Sequence, residues 1–191
     1  MDRLNEIKDY IKPLTYRWMR EKVKKCKIQP ELQLLRQAEQ ALLEASERQK
    51  QDPEARLCYL CLFHLHSSII SGSWQYKIWA AGERLYFEPP LSEKIWNPEH
   101  LYSDVPDLRA AAEKEMKQYF VRLLPFETEF AVRTILNEYQ KLADVYWRQA
   151  TETLISGEIF RSLYKSRDWK ILSGGYMGEL KVFDFCGNRA R

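Results

Sequence analysis

The sequence lacks the features that identify membrane-spanning, secreted and disulfide-bonded proteins. No apolar run approaches the roughly 18 residues that a membrane-spanning helix requires, and the first residues do not follow a signal-peptide pattern. Four cysteines in 191 residues do not make a disulfide framework. We therefore expect a cytosolic protein whose thiols are reduced.

Recognisable catalytic and nucleotide-binding motifs are also missing. The segment Gly174–Gly178 is rich in glycine but matches neither the phosphate-binding loop nor the dinucleotide-binding pattern. The acidic residues between 127 and 156 never occur as Glu-x-x-His, so a carboxylate-bridged two-metal bundle would lack imidazole ligands. No serine, threonine or cysteine stands in a recognisable nucleophile motif. The sequence therefore predicts no catalytic residue and no cofactor.

What is present is the composition of an ordinary folded chain. Apolar residues make up 45% and charged residues 30%, which argues against disorder. A length of 191 residues is sufficient for one domain with its own core. We predict a single domain over residues 1–191, with a basic helical segment at 1–28 and a loose tail at 186–191.

Hydrophobic periodicity predicts an α+β fold in which helices dominate. The apolar residues between about 53 and 71 cover an arc of about 200° at helical spacing, so this segment is the predicted central helix of a bundle. Asp52 and Pro53 form a helix-start signal before it. A helix beginning near Pro30 and Glu31 should pack against it as an antiparallel helical hairpin, and the stripe from 127 to 156 predicts the longest helix.

Two β-hairpins are predicted, at about 74–88 and 168–185, where aromatic and β-branched residues alternate with polar ones. Because an isolated hairpin is marginal in water, we expect the two to form one small sheet.

Two local expectations concern helices. Pro13 should break or kink the first helix, and the spacing predicts ion pairs Glu129–Arg133 and Asp144–Arg148.

The predicted central helix carries the residues that most resemble metal ligands. These are Cys58, Cys61, His64 and His66. A two-residue gap between cysteines is common in zinc sites. On one continuous helix, however, the four side chains point in different directions and do not converge on one ion, so a site would need distant ligands such as Cys26, His100 or Cys186. The alternative is that the cysteines are small buried apolar residues and the histidines lie in or beside the core.

Positive charge is concentrated at the N-terminal end. Residues 1–28 hold nine Lys and Arg against four Asp and Glu, although the net charge of the whole chain is only +3. Such a segment could neutralise phosphates of nucleic acid or lie on an anionic membrane surface, or it could be a solvated helix face. The nucleic-acid candidates are Arg17, Arg20, Lys22, Lys24, Lys25 and Lys27.

The stretch from Trp74 to Tyr102 contains seven aromatic residues. Large rings with a polar edge supply much of the energy of protein interfaces, although they also serve as core. The candidates for an interaction surface are Trp74, Tyr76, Trp79, Tyr86 and Trp96.

These features predict a non-catalytic protein-interaction or accessory protein, which binds a protein partner or self-associates as an oligomer. One alternative is a nucleic-acid-binding protein that uses the basic N-terminal segment. A second alternative is a metal- or small-ligand-binding enzyme that uses Cys58, Cys61 and a histidine.

Overall fold

The computed structural model describes residues 3–26 and 31–183 of the chain. Backbone contacts divide the chain into two compact units, and each unit is assembled from two separate stretches. The first comprises Met1–Ile28 and Pro98–Ala143, and the second comprises Gln29–Asn97 and Asp144–Arg191.

Twelve helices and strands are assigned within the described residues. In order, the elements are α1 (Arg3–Lys25), α2 (Leu32–Gln51), β1 (Leu57–His64), α3 (His66–Ser71), β2 (Tyr76–Ala81), β3 (Ser92–Trp96), α4 (Glu99–Tyr102), α5 (Val105–Tyr119), α6 (Pro125–Ser156), α7 (Glu158–Ser162), β4 (Lys165–Gly175) and β5 (Leu180–Phe183). The predicted α+β class, with helix dominating and one small sheet, is confirmed.

The first unit is helical and has a core of its own. Ile7 and Ile11 of α1 pack with Met116 of α5, with Phe120 just after α5, and with Ala131 of α6. Helix α1 continues through Pro13, so of the predicted break or kink the break is wrong. Burial of the apolar residues before and after the proline offsets the hydrogen bond that proline removes.

The second unit is built on a five-stranded sheet in the order β3-β2-β1-β4-β5. Strand β1 lies in the middle, antiparallel to β2 and parallel to β4, and the remaining pairs are antiparallel. Helix α2 and the part of α6 from Asp144 onward cover one face. Glu44 of α2 accepts a hydrogen bond from Ser92 of β3, and the Trp147 indole of α6 donates one of 3.0 Å to the Leu172 carbonyl of β4.

The prediction of a central helix at 53–71 is wrong, and with it the predicted helical hairpin. Leu57–His64 form the central strand, and only His66–Ser71 are helical. The strand is apolar almost throughout because both of its faces are buried, and such a run carries no period-two alternation. A continuous apolar run of this length does not distinguish a buried strand from a helix.

The hairpin predicted at 74–88 is correct only in its first strand. Strand β2 pairs with β3 at Ser92–Trp96, and residues 83–87 belong to the loop between these strands. The hairpin predicted at 168–185 is confirmed as β4 and β5, while residues 184–185 and the predicted tail at 186–191 lie outside the described residues. Both hairpins belong to one sheet, as expected, but β1 separates them.

Among residues 3–26 and 31–183, no helix combines the length and the apolar composition that a membrane crossing requires.

Candidate functional site

A buried polar cluster lies at the carboxyl ends of the two parallel strands. His64 is the last residue of β1, and Ser173 lies near the end of β4. Strand alternation and register place both side chains on the face that α6 covers, where they meet Asp144. Lys181 reaches the same carboxylate from the edge strand β5.

The Asp144 carboxylate is the shared acceptor of this cluster. Its Oδ1 atom lies 3.2 Å from His64 Nε2 and accepts a hydrogen bond from the Ser173 hydroxyl, while Oδ2 accepts one of 3.0 Å from Lys181 Nζ. Burial acts to raise the pKa of Asp144, but the hydrogen bonds from His64, Ser173 and Lys181 outweigh it and hold this pKa below its usual value. Asp144 is therefore a carboxylate at neutral pH.

The cluster contains the residue types of a serine hydrolase but not their arrangement. In a catalytic triad the two ring nitrogens of histidine have different partners, one the carboxylate and the other the serine. Here Asp144 Oδ1 and Ser173 Oγ both lie near His64 Nε2, at 3.2 and 3.4 Å, and the serine hydroxyl donates to the carboxylate. Ser173 has no exposed surface. This geometry stabilises the fold and does not activate the hydroxyl as a nucleophile.

The four candidate metal ligands are divided between the faces of the sheet and its end. Cys61 packs with Phe63 and Trp79 on one face of the sheet, whereas His64 points to the opposite face. His66 lies beyond the strand, in α3. Within the described residues, no three His, Cys, Asp or Glu side chains are close enough to hold a metal ion.

Burial also affects the two thiols of β1. It raises the pKa of both Cys58 and Cys61, and for the wholly buried Cys61 it does so far above the usual value. Both thiols are therefore protonated and unreactive at neutral pH. Of the distant ligands considered above, Cys26 and His100 belong to the first unit, and Cys186 lies outside the described residues.

Much of the positive charge of helix α1 is already paired within the first unit. Lys22 is buried and donates a 2.7 Å hydrogen bond to Asp104. Arg17 and Lys24, both largely exposed, pair with acidic side chains at 2.5 and 2.8 Å. The other candidates, Arg20 and Lys25, are exposed, and Lys27 lies outside the described residues.

Most of the aromatic candidates for an interaction surface are core residues. Tyr76, Trp79 and Trp96 are buried, whereas Trp74 and Tyr86 retain partial exposure. Tyr76 contacts the His64 ring edge to face at 5.2 Å, and Trp96 contacts Tyr146 of α6. These rings position the sheet against its helices.

The second face of the sheet carries an aromatic cluster formed by strand and loop residues. Phe63 of β1 lies 5.4 Å from both Tyr86 and Tyr176, and these two tyrosines lie 5.5 Å apart. Tyr86 comes from the β2–β3 loop and Tyr176 from the β4–β5 turn. The cluster therefore joins two loops that are distant in sequence into one surface.

We call the surface formed by residues 83–87 of the β2–β3 loop and by Tyr176 and Met177 of the β4–β5 turn the loop surface. It exposes apolar side chains next to the packed aromatic rings. Phe87 is 88% exposed and Met177 is 68% exposed, and each directly follows one of the two packed tyrosines. Leu85 and Met177 have φ angles of 45° and 57°, a left-handed conformation that is unfavourable for residues with a side chain. Backbone strain of this kind is found preferentially at functional sites.

Two cavities adjoin the β2–β3 loop. One, of 540 Å³, is lined by Glu83–Phe87 and is mainly apolar. The other, of 650 Å³, lies between this loop and the α2–β1 connection and is lined mainly by charged residues, among them Arg48 and Arg56. Glu83 and Arg84 line both cavities, so the apolar and charged parts of the surface are continuous.

Sequence reasoning did not select Asp144, Ser173, Lys181 or Met177, and it grouped Phe87 with the other aromatic residues without choosing it. A signal existed for Asp144. It lies three and seven residues before Trp147 and Thr151, which are both wholly buried, so helical spacing places this carboxylate on a buried stripe of α6. No comparable signal distinguishes Met177, because the contact between the two loops is long-range.

Comparison of the chain with protein-family models, with curated proteins and with solved structures finds no match.

Proposed function

We propose that the protein is a non-catalytic, cytosolic protein-interaction protein that binds its partner through the loop surface. The observation that carries this proposal is the pair of exposed apolar residues, Phe87 and Met177, each of which directly follows one of two tyrosines whose rings pack together. Aromatic residues and methionine are enriched in interface cores, and a preordered apolar anchor beside a cavity is the usual form of an interface hot spot.

Two further features support binding at this position. The strained backbone at Leu85 and Met177 is maintained by the packing of Tyr86 and Tyr176 beneath it, so the exposed side chains are preorganised. Preorganisation reduces the conformational entropy that is lost when a partner binds. The charged cavity beside the loop supplies polar groups that would fix the orientation of the partner.

The two alternatives have weaker support. Binding of nucleic acid through α1 would depend on Arg20 and Lys25 together with side chains that already have acidic partners. Ligand chemistry at Cys58 and Cys61 would require thiolates, and burial disfavours them. We therefore retain protein interaction as the proposed function.

The test compares the partners of three forms of the full chain. In the first variant both Phe87→Ser and Met177→Ser are introduced, which removes the apolar anchors without changing charge. The control is Leu32→Ser, since Leu32 is 62% exposed and lies at the opposite end of α2 from Arg48, about 24 Å along the helix. Each purified form is used to capture proteins from cell extract, and captured proteins are quantified by mass spectrometry.

We expect at least one protein to bind the wild type and the Leu32→Ser control equally. It should bind the double variant at least about tenfold more weakly, because loss of a hot-spot residue costs about 2 kcal/mol or more and tenfold corresponds to about 1.4 kcal/mol. Circular dichroism of each form checks that the fold is retained. If every captured protein binds the three folded forms alike, the loop surface is not the interaction site.

A further inference from the structure

The loop surface contains both a protruding group and a recess of matching character. Phe87 extends from the β2–β3 loop with 88% of its surface exposed, and the 540 Å³ apolar cavity is formed by the same loop, at Glu83–Phe87. When a protrusion and a recess of this kind lie on one surface, a two-fold axis passing between them inserts each protrusion into the recess of the other copy.

Charged groups of both signs lie beside this recess, so the charged part of the surface also contains groups that complement each other. Arg48, Arg56 and Arg84 line the charged cavity, and within the described residues none of their guanidinium groups forms an ion pair. Glu54 and Glu83 line the same cavity, and their carboxylates likewise form no ion pair within the described residues.

The remaining acidic groups of the cavity bind the backbone of their own segments. Asp52 Oδ1 accepts a hydrogen bond of 3.2 Å from the Glu54 amide, and Glu88 Oε1 accepts one of 3.1 Å from the Arg84 amide. Glu88 also lies directly against Gly82, where a Cβ atom would overlap its carboxylate. Asp52 therefore shapes the α2–β1 connection and Glu88 the β2–β3 loop, and the arginines, Glu54 and Glu83 remain to meet a partner.

We propose that the partner of the loop surface is a second copy of this chain, docked about a two-fold axis that passes close to Glu83 and Arg84. This inference rests on the proposed function and specifies its partner. In the dimer Phe87 of each copy enters the apolar recess of the other, and Arg84 of each copy pairs with the other copy's Glu83.

A second copy fits this surface better than a partner of one charge. An acidic partner would meet Glu54 and Glu83, and a basic partner would meet the three arginines, so either would bring like charges together at a cost. A second copy of the same surface presents both arginines and glutamates, so each charged group can face one of opposite sign. An isologous two-fold contact is also the commonest form of association between identical chains.

The experiment uses charge reversal in the full-length protein. Sedimentation velocity over a concentration series measures the dimer dissociation constant of the wild type, of Glu83→Arg, of Arg84→Glu, and of an equimolar mixture of the two variants. Each variant alone places two like charges across the axis, so its dissociation constant should rise at least about tenfold. In the mixture opposite charges meet again at both symmetry-related contacts, because one copy carries two arginines and the other two glutamates at positions 83 and 84, and dimers should return as heterodimers.

A third variant, Phe87→Ser, tests the apolar part of the contact without changing charge. It should also raise the dissociation constant at least about tenfold, while Leu32→Ser should leave it unchanged. Thermal unfolding of each variant identifies any that has lost its fold, and Phe87→Ala then replaces Phe87→Ser.

The outcomes separate this inference from the proposed function. A wild type that remains monomeric at every concentration overturns the second-copy proposal. If another protein is then captured through Phe87 and Met177, the proposed function still stands. A dimer that is insensitive to Glu83→Arg, Arg84→Glu and Phe87→Ser uses another surface, which also overturns the inference.

Discussion

Lys181, on the edge strand β5, donates a 3.0 Å hydrogen bond to Asp144 of helix α6. The lysine side chain is 66% exposed while the carboxylate is nearly buried, so the pair links the surface to the polar cluster beneath. An inward-pointing lysine also makes an edge strand a poor template for pairing with another chain.

Replacing Asp144 should destabilise the second unit. Asp144→Ala removes the acceptor shared by His64, Ser173 and Lys181, and the buried serine and histidine would lose a charged partner. We expect the free energy of unfolding in urea to fall by about 2 kcal/mol. Lys181→Met is the matched control and should cost less than about 1 kcal/mol, since its ammonium group is largely solvated. Equal losses in both variants would contradict this account.

The Asp144 cluster should also make stability depend on pH in the acid range. The pKa of Asp144 is lower in the folded protein than in the unfolded chain, where an aspartate has its usual value of about 3.9. Its contribution to stability is therefore complete above about pH 4 and is lost as the pH falls through the lowered folded value. The difference in unfolding free energy between the wild type and Asp144→Asn should shrink over this window. If this difference stays constant down to strongly acidic pH, the pKa of Asp144 is not lowered in the folded protein.

Two glycines of the β4–β5 hairpin should respond differently to substitution. A Cβ atom at Gly174 would overlap the carbonyl oxygen of Glu179, a backbone atom just before β5. Gly174→Ala should lower the free energy of unfolding by about 2 kcal/mol, measured by urea denaturation. At Gly178 the nearest atom would lie 3.4 Å away, so Gly178→Ala should change stability by no more than about 0.5 kcal/mol. The reverse order would show that the hairpin is built differently.

The thiols should differ sharply in their rate of alkylation. Cys61 is wholly buried, and burial raises the pKa of its thiol, whereas Cys26 is partly exposed. In a Cys186→Ser background, iodoacetamide should modify Cys26 at least about tenfold faster than Cys61, because Cys61 reacts only after local opening. Peptide mass spectrometry over time measures both rates. Rapid modification of Cys61 in the folded protein would show that the second face of the sheet opens readily.

The class of the fold followed from sequence periodicity, and the reasons for the errors are physical. The stripe of α6 was recognised at 127–156 because one side of that helix is apolar and the other polar over many turns. Strand β1 was mistaken for a helix because a strand buried on both faces has no alternation. Strand β3 was missed because Leu85, Tyr86 and Phe87, an apolar and aromatic run that is more typical of strands, lie in the loop before it.

The candidate site was less accessible from sequence than the fold. The predicted pairs Glu129–Arg133 and Asp144–Arg148 are replaced by partners elsewhere, since Arg109 pairs with Glu129 and Lys181 with Asp144. Sequence spacing identifies which charged residues are neighbours on one helix. A residue from another element forms the ion pair instead when its geometry is better. The contact between Tyr86 and Tyr176 depends on strand order, and a sequence pattern contains no information about that order.

The parallel pairing of β1 with β4 has a consequence for synthesis of the chain. Ser173 follows His64 by 109 residues, so the ribosome releases the middle strand of the sheet long before its second neighbour exists. Throughout that interval one side of a strongly apolar strand has unpaired amide and carbonyl groups, a state that favours association between nascent chains. Closing so long a loop is also slow compared with local helix formation. We therefore expect folding of the sheet to be completed only after β4 leaves the ribosome, with chaperones protecting β1 until then.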